Sequence, residues 1–373
     1  MVALEGAWWF TCCKALIRTA AVVVECLIIT ILILATLELL SRVVHLGVRP
    51  MLPYIADEAQ GSRMPASFDS NVRFLGSPAF RVCTDEYGLR KSSCSTGVES
   101  TTVLTVGDSQ AFGWAMPFED TFTAHVAKAL GEDAEHNARA MAAGGTDVES
   151  LLAWAKDYRS QAPLTRPRLN IIVINFGNDF DEMYFGRSTG RVPFMKAVRE
   201  WLTVHSFFML DFNLVKNAWF TISDWQLPPG ANPVVLTLRP KERERLAIAT
   251  SDAAVRLVRA LPEAQKSVVV LLPTDYQVAK GEFTKYRKFY STQAQFDGWN
   301  KRVDEAAAAL NEIEQIIAHR LQSKGLSVVA PRTLLATHDP GALFDRSSHH
   351  YTSYGQRVLS QAILQKAHLG AGL

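Results

Sequence analysis

The triplet Gly107-Asp108-Ser109 directly follows an apolar run rich in β-branched residues, and its residue types suit nucleophilic chemistry. Glycine permits a tight turn, and an aspartate or serine oxygen accepts the unpaired N–H groups of a starting helix, so the triplet also fits a plain helix cap. A serine at a strand-to-helix corner is exposed at the sheet edge, beside backbone N–H groups and a helix dipole that stabilise an oxyanion. Partner residues elsewhere in the chain must decide between a cap and a nucleophile.

Polar residues of the required types follow the other apolar runs of the chain. Gly177-Asn178-Asp179 follows "NIIVINF", Gly144 and Gly145 open a helical pattern in "GGTDVESL", and His349 and His350 precede the last helical pattern. The carboxyl ends of parallel strands meet at one edge of a sheet, and ligands bind there. A serine, a glycine N–H, an asparagine amide and a histidine are therefore expected to converge on one rim.

In their order along the chain, these residues resemble the four sequence blocks of the SGNH (GDSL-like) hydrolase superfamily. The resemblance runs from about residue 80 to the C-terminus and includes "FRVCTDEYGLR", which is similar to an approach strand in many membrane-anchored members. It implies these roles: Ser109 as nucleophile, His350 as general base, and the Ser109 N–H, the Gly144 N–H and the Asn178 amide as oxyanion donors. The reaction implied is acyl chemistry through an acyl-serine, with no cofactor and no metal.

Two of the blocks offer a choice of register. Gly144 matches the second block better than its neighbour Gly145. His350 stands five residues before Gly355, the spacing that the terminal block has, whereas His349 is expected to be a neighbour that points elsewhere.

The chain departs from the family's pattern at two positions. Phe176 stands where the third block has glycine, and Ser347 and Ser348 stand where the terminal block has aspartate. Asp345 is the nearest carboxylate, and it reaches His350 only by looping back over the four residues between them. We expect Asp345 to complete a triad; the alternative is a Ser-His dyad oriented by a backbone carbonyl.

The function expected is hydrolysis of O-acyl esters on envelope carbohydrate or glycolipid. Two alternatives stay open: an O-acyltransferase of the same fold, which needs the same acyl-serine, and a non-catalytic SGNH-like binding or assembly subunit. A formal net charge of +2 without a basic stripe gives no reason to expect a nucleic-acid partner. The nine histidines are scattered, and HExxH and CxxC motifs are absent, so no metal site is indicated. The sequence does not identify a protein partner.

Continuous apolar runs, separated by helical patterns, must position these residues. Runs such as "TVLTVG", "NIIVINFG", "SVVVLLP" and "LSVVAP" lack polar alternation, which is typical of parallel strands covered on both faces. We expect residues 101–373 to form a three-layer α/β/α sandwich with a parallel, flavodoxin-like sheet. An aromatic-rich stretch at about 184–228 predicts an inserted helical subdomain; a lid, an acyl-binding wall and a surface resting on lipid are its functional alternatives.

The N-terminal run "AAVVVECLIITILILATL", residues 20–37, is long enough to cross a bilayer. No A-x-A cleavage site follows it, so a retained anchor is favoured over a cleaved signal peptide or a buried helix. We expect a short cytoplasmic N-terminus over 1–18, a membrane span over 19–40, and a connecting segment over 41–100 that packs on the domain.

The charges beside the span are nearly balanced, because Lys14 and Arg18 precede it and Arg42 and Arg49 follow it. A short basic N-terminus before a single span still favours a signal-anchor with the catalytic domain on the non-cytoplasmic side. Cys83 and Cys94 would then lie in an oxidising compartment, where they either pair or remain free thiols.

Overall fold

The computed structural model describes residues 2–57, 61–73, 78–92, 94, 101–131, 137–144, 146–161, 166–176, 198, 201–212, 235, 238–278, 293–345 and 350–371. Its strands are β1 (Ile55–Asp57), β2 (Gly61–Arg63), β3 (Asp69–Val72), β4 (Phe80–Cys83), β5 (Arg90–Lys91), β6 (Val103–Gly107), β7 (Ala138–Ala142), β8 (Leu169–Asn175), β9 (Ser267–Leu272) and β10 (Ser327–Val329). Its helices are α1 (Val2–His45), α2 (Ser109–Phe112), α3 (Phe122–Ala129), α4 (Val148–Gln161), α5 (Pro240–Ala260), α6 (Asp275–Val278), α7 (Gln293–Ser323), α8 (Arg332–Leu335), α9 (Pro340–Leu343) and α10 (Ser353–Ala371).

The apolar runs form one six-stranded sheet in the order β10-β9-β8-β6-β7-β5. Strands β6 to β10 pair in parallel, and their order is the flavodoxin-like one expected from the sequence. Strand β5 differs, since it pairs antiparallel with β7 at the edge. The chain order reverses between β6 and β8, and a crevice for a ligand opens at such a point.

Both faces of this sheet are covered, which explains the long apolar runs of its central strands β8 and β9. In β8, Ile172 and Ile174 belong to the core cluster under α4, α5 and α7, whereas Ile171 and Val173 belong to the cluster under α3 and α10. All four side chains are essentially unexposed. Burying one such side chain contributes about 1.5–3 kcal/mol, so the central strands hold the carboxyl edge of the sheet rigidly.

The segment between the span and the sheet packs on the domain. Leu52, Met64, Phe68 and Val82 are buried in the α3–α10 cluster. Strands β3 and β4 form an antiparallel pair, and Cys83 at the end of β4 is disulfide-bonded to Cys94. Strand β5 belongs to this segment, before residue 101. It pairs with β7 and forms that edge of the six-stranded sheet.

One helix among the described residues is long and apolar enough to span a membrane. It is the Arg18–His45 part of α1, with a mean hydropathy of 2.7, and none of its most apolar window is buried inside the protein. At 1.5 Å per residue, these 28 residues extend about 42 Å, beyond the ~30 Å of a bilayer's hydrocarbon core. The alternative of a buried core helix is therefore wrong.

The C-terminal end of α1 is bonded to two helical turns, 201–205 and 207–212, within the stretch expected as an insertion. The Glu38 carboxylate accepts hydrogen bonds from the Ser206 hydroxyl at 2.7 Å and from two backbone N–H groups of the second turn. His45 Nε2 lies 2.8 Å from Asp211 Oδ1. The rest of the 184–228 stretch, apart from residue 198, lies outside the described residues.

Candidate active site

Ser109 is the first residue of α2, directly after β6. A Cβ on Gly107 would lie 2.9 Å from Val173 Cβ, so only glycine lets β6 pass that close to β8. Asp108 caps α2, because its Oδ1 accepts the Gln110 N–H at 3.0 Å. Its Oδ2 accepts from the Asn175 amide at 2.6 Å, which ties the serine corner to the end of β8.

Ser109 is only 4% exposed, whereas the sequence predicted an exposed corner. The reason is that His350, which bonds to its hydroxyl, and Trp114, which stacks on His350, fold over this end of the sheet. That prediction is corrected: the serine lies beneath other side chains.

The His350 imidazole meets the serine directly. His350 Nε2 lies 2.8 Å from Ser109 Oγ, a hydrogen bond in which the hydroxyl donates when Nε2 carries no proton. The two residues are 241 positions apart in the sequence. The loop that carries His350 is closed by an antiparallel bridge between Phe344 and Tyr351. A Cβ on Gly355 would lie 2.3 Å from the Leu343 carbonyl, so the terminal-block glycine is needed for α10 to start here.

Two glutamines fasten the terminal loop to α2. Gln110 Oε1 accepts the Tyr351 N–H at 3.1 Å, and the Gln356 amide donates to the Gln110 carbonyl at 3.3 Å. Gln356 Oε1 also accepts the Phe122 N–H at 2.9 Å. All these groups are buried, so the bonds hold the histidine loop in register with the serine.

Gly144 leaves the sheet beside Ser109. In the pairing of β6 with β7, Gly107 lies opposite Ala142, and each candidate residue follows two positions later. A Cβ on Gly144 would lie 3.3 Å from Tyr54 Cε2 and 3.7 Å from Trp114 Cζ3. Asn178, Asp179, Gly145 and His349 lie outside the described residues, so the amide donor stays a prediction.

Asp345 is exposed and meets the histidine through the backbone, since its N–H donates to the His350 carbonyl at 2.8 Å. The proposed contact of its carboxylate with the imidazole stays a prediction. The other departure from the family's pattern is Phe176, which stands where the third block has glycine. Its ring is fully buried in the α4–α5–α7 cluster, so packing accounts for it.

Sequence reasoning missed the residues that support the site from a distance. Arg90 on β5 is buried, and its guanidinium donates to the carbonyls of Phe112, Gly113 and Met116 at 2.5, 3.0 and 2.8 Å. These carbonyls at and after the end of α2 would otherwise be unpaired. Burial lowers the Arg90 pKa to about 10, which leaves it cationic at neutral pH. The stretch "FRVCTDEYGLR" holds four charged residues, so its sequence alone does not single out Arg90.

Two aromatic rings were also missed. The Trp114 ring stacks on His350 with centroids 5.3 Å apart and an interplanar angle of 19°, and Tyr54 stacks on Trp114 at 6.1 Å and 14°. The three rings form a continuous stack from the histidine to the connecting segment. Nothing in the local sequence around Tyr54 marks it for this place.

The described residues offer one group with metal-ligand atoms close together, Asp69 with Cys83 and Cys94. The two cysteines are disulfide-bonded and supply no thiolate. This group therefore carries no metal-binding argument.

No family profile and no curated protein matches the chain. Solved structures similar to it include a lipolytic G-D-S-L family member from Veillonella parvula (12% identity, 71% of this chain, 97% of that chain, TM-score 0.35). An extracellular lipase from Streptomyces rimosus is 17% identical (72% and 100% covered, TM-score 0.36), and an alpha/beta hydrolase from a Lake Arreo metagenome is 12% identical (73% and 96%, TM-score 0.36).

Proposed function

We propose that this protein is a membrane-anchored serine esterase of the SGNH type. The observation that carries the proposal is the 2.8 Å contact of His350 Nε2 with Ser109 Oγ at the strand-to-helix corner. A serine hydroxyl and an imidazole within hydrogen-bond reach are the signature of an activated nucleophile. The position of this pair beside the point where the strand order reverses supports a ligand site there.

The proposed reaction proceeds through an acyl-serine. His350 Nε2 takes the Ser109 proton while Oγ attacks the ester carbonyl, and the oxyanion is held by the N–H groups of Ser109 and Gly144 with the Asn178 amide. The tetrahedral intermediate collapses, and the leaving alcohol takes the proton from His350. Water, deprotonated by the same imidazole, then attacks the acyl-serine and releases the acid and the free serine.

The substrate class we propose is an O-acyl ester of envelope carbohydrate or glycolipid, with the domain on the non-cytoplasmic side. The Cys83–Cys94 disulfide supports that side, because disulfides persist in oxidising compartments. The site is also held near the span, since Leu52 and Tyr54 pack in the domain within nine residues of the end of α1. Such a short tether restricts the enzyme to esters close to the membrane surface.

A fluorophosphonate serine probe tests the proposal on the purified full-length protein in detergent. We expect wild type to be labelled and to hydrolyse 4-nitrophenyl acetate, and Ser109→Ala to lose both while keeping its fold. Ser251→Ala is the matched control, because it removes a buried hydroxyl from α5 that bonds only within its helix at 2.7 Å. Unlabelled wild type, or Ser109→Ala activity above a few per cent, would remove Ser109 as nucleophile.

The same preparation shows whether water or a sugar hydroxyl accepts the acyl group. When the protein is incubated with an O-acetylated oligosaccharide and a non-acetylated one, an esterase should release free acetate. Acetate that appears on the second sugar instead would identify a transferase, which shares every step up to the acyl-serine.

A further inference from the structure

Tyr54 comes from the connecting segment and yet lies against the candidate oxyanion site. Its ring stacks on Trp114 and meets Phe112 edge-on, with centroids 6.0 Å apart and an interplanar angle of 73°. The position of its ring carbons, 3.3 and 3.7 Å from where a Gly144 Cβ would stand, places the phenol over that glycine. Three sides of the ring are thus fixed by packing.

The Tyr54 hydroxyl is buried and has no hydrogen-bond partner in the described part of the chain. The Gly144 N–H faces this oxygen closely enough to lower the phenol's pKa, although the pair does not form a hydrogen bond of standard geometry. A buried hydroxyl without a partner costs free energy, and such groups in native proteins call for a functional explanation. Two donors, one N–H and one O–H, therefore lie side by side.

We propose that the Tyr54 hydroxyl is a further oxyanion donor, which hydrogen-bonds the acyl oxygen beside the Gly144 N–H when an ester occupies the site. This inference rests on the proposed esterase function. A single acyl oxygen can accept from both groups, and it would supply the partner that the Tyr54 hydroxyl lacks among the described residues. Tyrosine hydroxyls are among the side chains that serve as oxyanion donors.

The phenol is suited to donate at every physiological pH. Burial raises the Tyr54 pKa well above that of a free tyrosine, so the hydroxyl keeps its proton. Its rigid ring, held between Trp114 and Phe112, pre-positions the donor and needs little reorganisation in the transition state. The residue also places part of the catalytic site nine positions after the end of α1.

Tyr54→Phe tests this, because it keeps the ring and removes only the oxygen. For 4-nitrophenyl acetate we expect kcat to fall about 10- to 100-fold with KM within twofold, as for a donor used in the transition state. Thermal stability should be equal to or above that of wild type, since the lost hydroxyl had no partner. A residue of merely structural importance would instead lose activity and stability together.

The matched control is Tyr158→Phe, which removes a buried phenol from α4, and it should retain wild-type kcat. Labelling of wild type at Ser109 by the fluorophosphonate probe is measured first, so a failure of the esterase proposal is seen separately. With wild type active, a Tyr54→Phe kcat within twofold of wild type, or above it as for a hydroxyl that blocks the site, would overturn the inference. A loss of kcat that tracks a lower melting temperature would overturn it as well.

Discussion

The His350 imidazole makes a hydrogen bond and a stacking contact at the serine corner. Its Nε2 meets the Ser109 hydroxyl, and its face lies nearly parallel to the Trp114 ring. A protonated imidazole over an indole face gains about 0.5–2 kcal/mol of cation–π attraction. We therefore propose that Trp114 helps to orient the His350 imidazolium, a role that a triad assigns to an aspartate.

Substitutions in the terminal loop should show how much His350, His349 and Asp345 each contribute to kcat. We expect His350→Ala to lower kcat at least about 10³-fold, because it removes the imidazole proposed to take the serine proton. His349→Ala should retain most activity. Asp345→Asn should lose an amount between these two: about tenfold if a backbone carbonyl orients the imidazole, and up to about 10⁴-fold if the Asp345 carboxylate does.

The measurement is kcat for 4-nitrophenyl acetate, with circular dichroism to check each fold. Equal losses in the two histidine variants would show that the terminal block has been read in the wrong register. A loss near 10⁴-fold for Asp345→Asn would instead establish a full triad.

At the scale of elements, the segment before the five parallel strands supports the helix that begins with Ser109. Arg90 on β5 holds the carbonyls at and after the end of α2. The turn that leads into β5 is closed by Asp85, whose Oδ1 accepts the N–H groups of Tyr87 and Leu89 at 2.9 Å each. The geometry at Ser109 therefore depends on residues that precede the first parallel strand.

The Asp85 carboxyl should make stability depend on pH. Burial raises its pKa from 3.8 to about 6, so the native state binds the proton more tightly than the unfolded chain. Its contribution is fully present below about pH 4 and is lost as the pH rises through 6. Because one pKa unit is about 1.4 kcal/mol, wild type should lose about 2–3 kcal/mol relative to Asp85→Asn between pH 4 and 7.

Urea unfolding followed by tryptophan fluorescence at pH 4, 5, 6 and 7 measures this difference. The asparagine keeps an Oδ1 acceptor for both N–H groups, so it serves as a non-titrating reference. A constant gap between the two proteins over this range would contradict the assignment.

At the scale of the whole molecule, the end of α1 is bonded to helical turns of the domain that follows it. Arg42 donates to the His205 carbonyl at 2.8 Å, and its guanidinium lies 4.9 Å from the Phe207 ring centroid. Trp201 and Phe212, on the same helical turns, are 62% and 53% exposed. Trp side chains are favoured at the membrane–water interface, so Trp201 is expected to lie near the headgroups where the span ends.

Reporter fusions test the orientation proposed for the chain. With residues 1–18 in the cytoplasm, a C-terminal alkaline phosphatase fusion should be active, because the phosphatase needs an oxidising compartment to fold. A C-terminal green fluorescent protein exported by the general secretion pathway should be dark. The reverse pattern would overturn both the orientation and the envelope substrate.

The sequence by itself determined those features of the protein that arise from residues close together in the chain. Continuous apolar runs identified four of the five parallel strands, the 20–37 run identified the helix able to span a membrane, and block spacing selected Ser109 and His350. Such features arise because side-chain periodicity and helix or strand geometry act over a few residues.

Only the tertiary structure decided what covers the serine and what supports it. Tyr54, Arg90 and Trp114 stand in segments without a sustained period, and their contacts join residues far apart in the chain. These contacts follow from how the connecting segment and the terminal loop pack across the edge of the finished sheet. That packing is set by long-range burial and hydrogen bonding, which spacing along the chain does not encode.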